Sequence, residues 1–168
     1  MTPDHDPSSQ TSKPETPLLV PHLVCAGAAE AIEFYKAAFG AIELMRLPGP
    51  DGKLMHACIA LDGAQVMLVD EMAQCGVLSP RTLGGTPVTI NLRVADVDAV
   101  FGRAVQAGAK PVMPPADMFW GDRYGVLEDP SGHRWAVLTP QRQLSEAELR
   151  DAAARFMQQQ QQPEAVTA

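Results

Sequence analysis

Two groups of side chains in this sequence could carry chemistry. One is scattered: His22, His56 and Glu71, two imidazoles and a carboxylate lying in or beside apolar runs. Either type can act as general acid or base, so His56 and Glu71 are the candidate catalytic residues. Together His22, His56 and Glu71 also form a candidate metal set, because two imidazoles and a carboxylate hold a divalent cation and leave room for water or substrate. A plainer reading stands beside this one, with His56 a pocket histidine making a single hydrogen bond and His22 bordering the helix layer.

The other group is dense. FWGDRYGVLEDPSGHRW, residues 119–135, gathers aromatic, acidic and basic side chains and a histidine into one stretch. Its DPSG is a turn, with Pro130 fixing φ after Asp129 and Gly132 supplying a left-handed residue. Asp129, Pro130, Gly132 and Trp135 therefore read as structural, Trp135 in the helix-facing phase of the strand that follows. Trp120, Asp122, Arg123 and Tyr124 surround Gly121 and Gly125, where backbone can bend or approach closely. Either Trp120 walls a pocket in which Asp122 or Arg123 orients a polar ligand, or the two charges pair in a bulge or a dimer contact.

These residues need elements to hold them. In VTINLRV (88–94) Val88, Ile90, Leu92 and Val94 face one way and Thr89, Asn91 and Arg93 the other. The apolar face belongs under helices, which leaves Thr89 and Asn91 on a concave face. Val20, His22 and Val24 hold the matching places in the first half, and His56 in LMHACIAL falls on the same side. A cavity on that face, lined by His56, Glu71, Thr89, Asn91 and Trp120 and bordered by Asp122 and Tyr124, is the expected small-molecule site. LSPRTLGGTPV (78–88) either covers one end of it or is only a linker.

The body of the chain repeats itself. AEAIEFYKAAFGA (29–41) aligns with VDAVFGRAVQAGA (97–109), each a helix closed by glycine, Gly40 and Gly108, at the C′ position. An apolar strand precedes each helix and three strand-like runs follow it, parted by turn residues. The expected fold is α+β, two tandem βαβββ modules forming one curved, mixed sheet of eight strands with helices near 28–39 and 97–107 on its convex face. The divisions are a disordered lead-in (1–16), the first module (17–77), a connector (78–87), the second module (88–140), and a C-terminal helix with a Gln-rich tail (141–168). The helix in that last segment opens on a capping box, Ser145 with Glu148.

Composition narrows the partners. A net charge of −7 with scattered Lys and Arg argues against a nucleic-acid groove. No apolar run is long enough for a bilayer, and the N-terminus lacks the basic and apolar regions of a secretory signal. Three cysteines without a C-x-x-C spacing suggest reduced thiols and a cytoplasmic location. There is no dinucleotide, phosphate-loop or nucleophile-elbow motif. A small molecule and a second copy of the chain are the expected partners.

AIEFYKAAFGA, VADVDAVFGRAVQAGAK and EDPSGHRWAVL, in that order across residues 18–140, resemble the vicinal oxygen chelate superfamily, which includes glyoxalase I, extradiol dioxygenases and bleomycin- and fosfomycin-resistance proteins. WGDRYG, DPSGHRW and LSPRTLGGTPV resemble more narrowly its PhnB-like branch. The resemblance implies the βαβββ pair and, in metal-using members, a divalent cation held from the first and last strand of each module. Carried over residue by residue, those positions are Val20, Met67, Thr89 and Ala136, none of which is an imidazole, carboxylate or thiolate donor. The resemblance therefore implies a small-molecule binding protein with no cofactor and no metal at the usual site. The alternative is a metal-dependent lyase, isomerase or dioxygenase using His22, His56 and Glu71.

Overall fold

The computed structural model describes residues 19–160. The expected lead-in (1–16) and the end of the Gln-rich tail (161–168) lie outside the described residues.

Each module is a βαβββ unit. The first runs β1 (His22–Cys25), α1 (Ala28–Phe39), β2 (Ile42–Pro48), β3 (Leu54–Leu61) and β4 (Ala64–Asp70). After a short 3₁₀ turn at Ala73–Cys75 and a one-turn helix α2 (Pro80–Leu83), the second runs β5 (Thr89–Arg93), α3 (Val97–Gln106), β6 (Lys110–Asp117), β7 (Asp122–Glu128) and β8 (Arg134–Pro140). Helix α4 (Glu146–Gln160) ends the described chain and takes in the first glutamines of the tail. The α+β class and the tandem repeat are as the sequence predicts.

The strand orders are β1-β4-β3-β2 and β5-β8-β7-β6. β1 pairs with β4, and β5 with β8, in parallel; the other neighbours are antiparallel. Hydrogen bonding divides the eight strands into two mixed sheets of four, because β1 and β5 stand on either side of a cavity and form no ladder across it. Strand β6 carries Pro111, Pro114 and Pro115 and pairs only with β7, the edge position where a missing N–H costs no ladder bond.

Alternation sets the faces. Ile90, Leu92 and Val94 pack on the core while Thr89, Asn91 and Arg93 are exposed. Leu23 and Cys25, Ala57 and Ile59, and Val66 and Leu68 are buried under the helices in the same phase. One core serves both modules, with α1 against α3 and an aromatic group of Tyr35, Phe39 and Trp135 whose ring centres lie 5.1–6.1 Å apart.

Capping explains where the helices start and stop. Gly27 has no side chain to cap α1, so Asp70 at the end of β4 does it, accepting from Ala28 N at 2.8 Å and Leu54 N at 2.7 Å. Gly40, at φ 71°, closes the helix in the left-handed region. The Ser145–Glu148 capping box forms, with Glu148 Oε2 accepting from Ser145 N at 2.8 Å and Ser145 Oγ from Glu148 N at 3.3 Å. Cys25, Cys58 and Cys75 are free thiols, and burial pushes Cys25 up to about 12. No described helix is long and apolar enough to cross a membrane.

Candidate functional site

Where β1 and β5 part, a cavity of about 510 Å³ opens between the modules. One wall is β1, through His22, Leu23 and Val24; the other is Val88, Thr89 and Ile90. The connector forms the cover, with Leu78, Pro80 and Leu83 against the space. LSPRTLGGTPV, expected either to cover one end of the concave-face cavity or to be only a linker, lies against this space instead. The walls are mainly apolar, with no Lys or Arg among the described residues that line them.

The polar group at the edge of this space is His133, buried at 7% exposure. Its Nδ1 lies 3.1 Å from Oδ2 of Asp129, itself 4% exposed. Asp129 also accepts from Tyr35 Oη at 2.5 Å, Trp135 Nε1 at 3.1 Å, and the backbone N–H groups of Ser131 and His133 at 2.9 Å each. Burial pushes this carboxyl up, but the hydrogen bond and charge of His133 and the Tyr35 hydroxyl more than reverse it, so its pKa lies below the ordinary aspartate value. Tyr35 is driven well above a normal phenol by burial and by the Asp129 charge. A carboxylate held ionised against Nδ1 fixes the N–H on that nitrogen and leaves Nε2 as the basic one. No described residue hydrogen-bonds Nε2, and no buried side-chain nitrogen or oxygen lacks a partner. His133 is among the residues that line the cavity, and Nε2 is the ring nitrogen left free of Asp129.

The turn that carries Asp129 and His133 is fastened to the connector. Arg81 N donates to Ser131 O at 3.0 Å, and its guanidinium to Pro130 O at 3.3 Å. Gly132 sits at φ 90°, and a Cβ there would come within 2.8 Å of Arg81 N. Only glycine allows this approach.

The expected ligand-binding residues are not gathered in one place. Thr89 lines the cavity; His56, Asn91, Trp120, Asp122 and Tyr124 do not. His56 lies on the helix-free face of the first sheet, its ring 5.9 Å from His22 in an edge-on contact. Asn91 is exposed on the corresponding face of the second sheet, beside Ala136. Trp120 and Asp122 belong to a separate depression with Arg93 and Arg142, where Trp120 Nε1 donates to Asp122 Oδ2 at 3.1 Å and the indole packs edge-on against Tyr124. Strand length explains the separation. Thr89 pairs with Arg134 at the start of β8 and Asp122 with Pro140 at its end, roughly 20 Å apart at ~3.3 Å per residue. Arg123 pairs with Asp98 of α3 and with Asp117, a surface ion-pair group.

Glu71 is turned elsewhere as well. It accepts from Ser79 N at 3.0 Å and Thr82 Oγ1 at 2.8 Å, holding the start of α2, and these hydrogen bonds lower its pKa. It is not in the cavity, and no group of three His, Cys, Asp or Glu that could hold a metal occurs among the described residues. The set His22, His56 and Glu71 is therefore not assembled as ligands. The imidazole of His22 is made less basic by burial and then by His56.

Register also corrects the inherited metal positions. Met67 is paired with His22 and Ala136 with Asn91, so the first-strand residues beside them are His22 and Asn91, two places beyond Val20 and Thr89. One imidazole, a thioether, an amide and a methyl group do not make a site for a divalent cation that needs three or more strong donors. The family's usual metal does not fit these residues.

The Glyoxalase family model, described as the glyoxalase/bleomycin resistance protein/dioxygenase superfamily, matches residues 19–137. An uncharacterised protein of Mycobacterium bovis is 53% identical over 139 residues, spanning 81% of this chain and 91% of that one. Among solved structures, an Arabidopsis thaliana gene product superposes with a TM-score of 0.59 at 27% identity, over 73% of this chain and 98% of its own. TioX from Micromonospora superposes with a TM-score of 0.57 at 26% identity, over 73% and 97%. With the paired βαβββ modules in place and the family model matching most of the chain, this protein belongs to the glyoxalase/bleomycin resistance protein/dioxygenase superfamily.

Proposed function

We propose that the protein binds a small, largely apolar molecule in the cavity between β1 and β5, without a metal. The cavity itself carries this reading. At about 510 Å³ it is the size of a ligand pocket, its walls are mainly apolar, and Thr89 and His133 are among its few polar lining residues. An apolar body displaces water from Leu23, Ile90, Pro80 and Leu83, at roughly 25 cal/mol per Å² removed from solvent. Thr89 and His133 orient its polar end.

The test is thermal. A library screen should yield ligands that raise the melting temperature, since one present at a hundred times its Kd adds about 2.7 kcal/mol. Thr89→Trp, which fills the space, should abolish the response, and Trp120→Ala should retain it. A Thr89→Trp protein that responds as well as the parent refutes the assignment of the ligand to this cavity.

We also infer a homodimer. Ile42, Met45 and Leu47 stand on the helix-free face of the first sheet, beside Ala60, Cys58 and His56, at 66%, 43% and 50% exposure. A contiguous apolar face of this kind is what a partner surface covers. Three free thiols, one of them exposed, support a reducing, cytoplasmic setting.

A further inference from the structure

Orienting the polar end of a ligand takes only a hydrogen-bonding group, whereas His133 is backed by a buried carboxylate. We infer that His133 Nε2 takes a proton from the ligand, and that the ligand class is an apolar molecule bearing a weakly acidic hydroxyl, a phenol or an enol. This rests on the cavity reading above and goes one step beyond it.

Three observations carry the inference. Asp129 accepts five hydrogen bonds and is almost wholly buried, so its carboxylate is a fixed charge with Nδ1–H of His133 as one of its donors. That arrangement leaves Nε2 free of Asp129 on a residue that lines the apolar space, with a carboxylate behind the ring to pair with the imidazolium that a transferred proton makes. Second, the described residues of the cavity walls include no Lys or Arg, so among them a preformed anion finds no cation to draw it out of water. A neutral acid enters uncharged and ionises in place: its O–H bond breaks, the proton moves to Nε2, and the oxyanion stays paired with the imidazolium. No electron changes hands. Third, the surroundings favour the product charge. Asp129 lies behind the ring, and the Tyr35 hydroxyl from α1 donates to Asp129. Cys25 of β1 is a neutral thiol, and the guanidinium of Arg81 from α2 is engaged by Pro130 O. His22 shares the cavity wall, where burial and then His56 make its imidazole less basic. Arg134, next along β8, is exposed to solvent.

The probe is 4-nitrophenol, whose anion alone absorbs in the visible, with 4-nitroanisole, its methyl ether, as the analogue without the proton. In buffer just acidic enough to keep free nitrophenol colourless, adding protein should develop the nitrophenolate band and saturate at one probe per chain. The bound probe should ionise with an apparent pKa at least one unit below that of the free probe, tenfold in its acid constant. His133→Gln keeps a donor for Asp129 and should bind the probe as the neutral phenol, without the band. Asp129 is a positioning residue, so Asp129→Asn should move the apparent pKa back toward the free value. The wild-type titration decides even if a variant fails to fold. Binding of nitrophenol with no band, binding of nitroanisole in preference to it, or an undiminished band in His133→Gln overturns the inference and leaves the binding reading standing. Failure of both probes to bind by calorimetry counts against both.

Discussion

Five donors on one buried carboxylate make Asp129 the residue whose loss should be felt most. Asp129→Asn puts an amide where donors converge, and removing one partner of a buried charged pair costs about 3 kcal/mol or more. The penalty depends on pH in a definite direction. The folded pKa of Asp129 is depressed, so its stabilisation is present above the unfolded value of about 4 and is lost as pH falls through the folded one. Chemical denaturation should therefore show a wild-type advantage that is full at neutral pH and shrinks below about pH 4. An advantage that stays constant down through the acid range would contradict this account. Sequence alone could not disclose the network. Tyr35 reads as one more apolar position in AIEFYKAAF, Asp129 as a turn residue, and His133 as the polar start of a strand; the Tyr35–Asp129 bond joins residues 94 apart. The phase of Trp135 was legible because alternation is local.

Among the elements, the connector departs furthest from its plain sequence reading. Glu71 anchors its helix from one side, and the turn at Ser131–Gly132 receives Arg81 N from the other. Gly132→Ala imposes a side chain at φ 90° and a 2.8 Å contact with backbone. The strain alone costs about 1–3 kcal/mol. The turn and α2 must move apart to relieve the contact, so amide hydrogen exchange at residues 79–84 should accelerate while that of α1 does not. Unchanged exchange there would show that α2 is held by Glu71 alone. Helices α1 and α3 and the succession of strands along the chain were legible, through glycine at C′ and period-two alternation. What alternation could not supply was position along a strand: it put Trp120 and Thr89 on one face and left their separation along β8 open.

For the whole molecule, the exposed apolar face of the first sheet predicts self-association. Sedimentation equilibrium should give a dimer, and Leu47→Glu should give a folded monomer, since the residue is half exposed and its replacement leaves the core intact. A parent protein that is monomeric at high micromolar concentration would remove the dimer from the account. The repeat, and with it the fold, could be read from order and spacing across both halves. The division into two sheets could not, because the sequence of an edge strand does not say whether its free edge meets another strand or an empty space.

Tyr35 from the first half completes the hydrogen bonding of Asp129 in the second. The two halves repeat one βαβββ plan, yet this bond breaks the symmetry: the place in the second half that aligns with Tyr35 is Arg103, an exposed residue. The two halves have specialised, one lending a phenol and the other a charge. Each has become the other's missing core, so a fragment ending at the connector would carry a stranded hydroxyl and its complement a stranded carboxylate. Neither half is whole without the other, because they share one core and this bond.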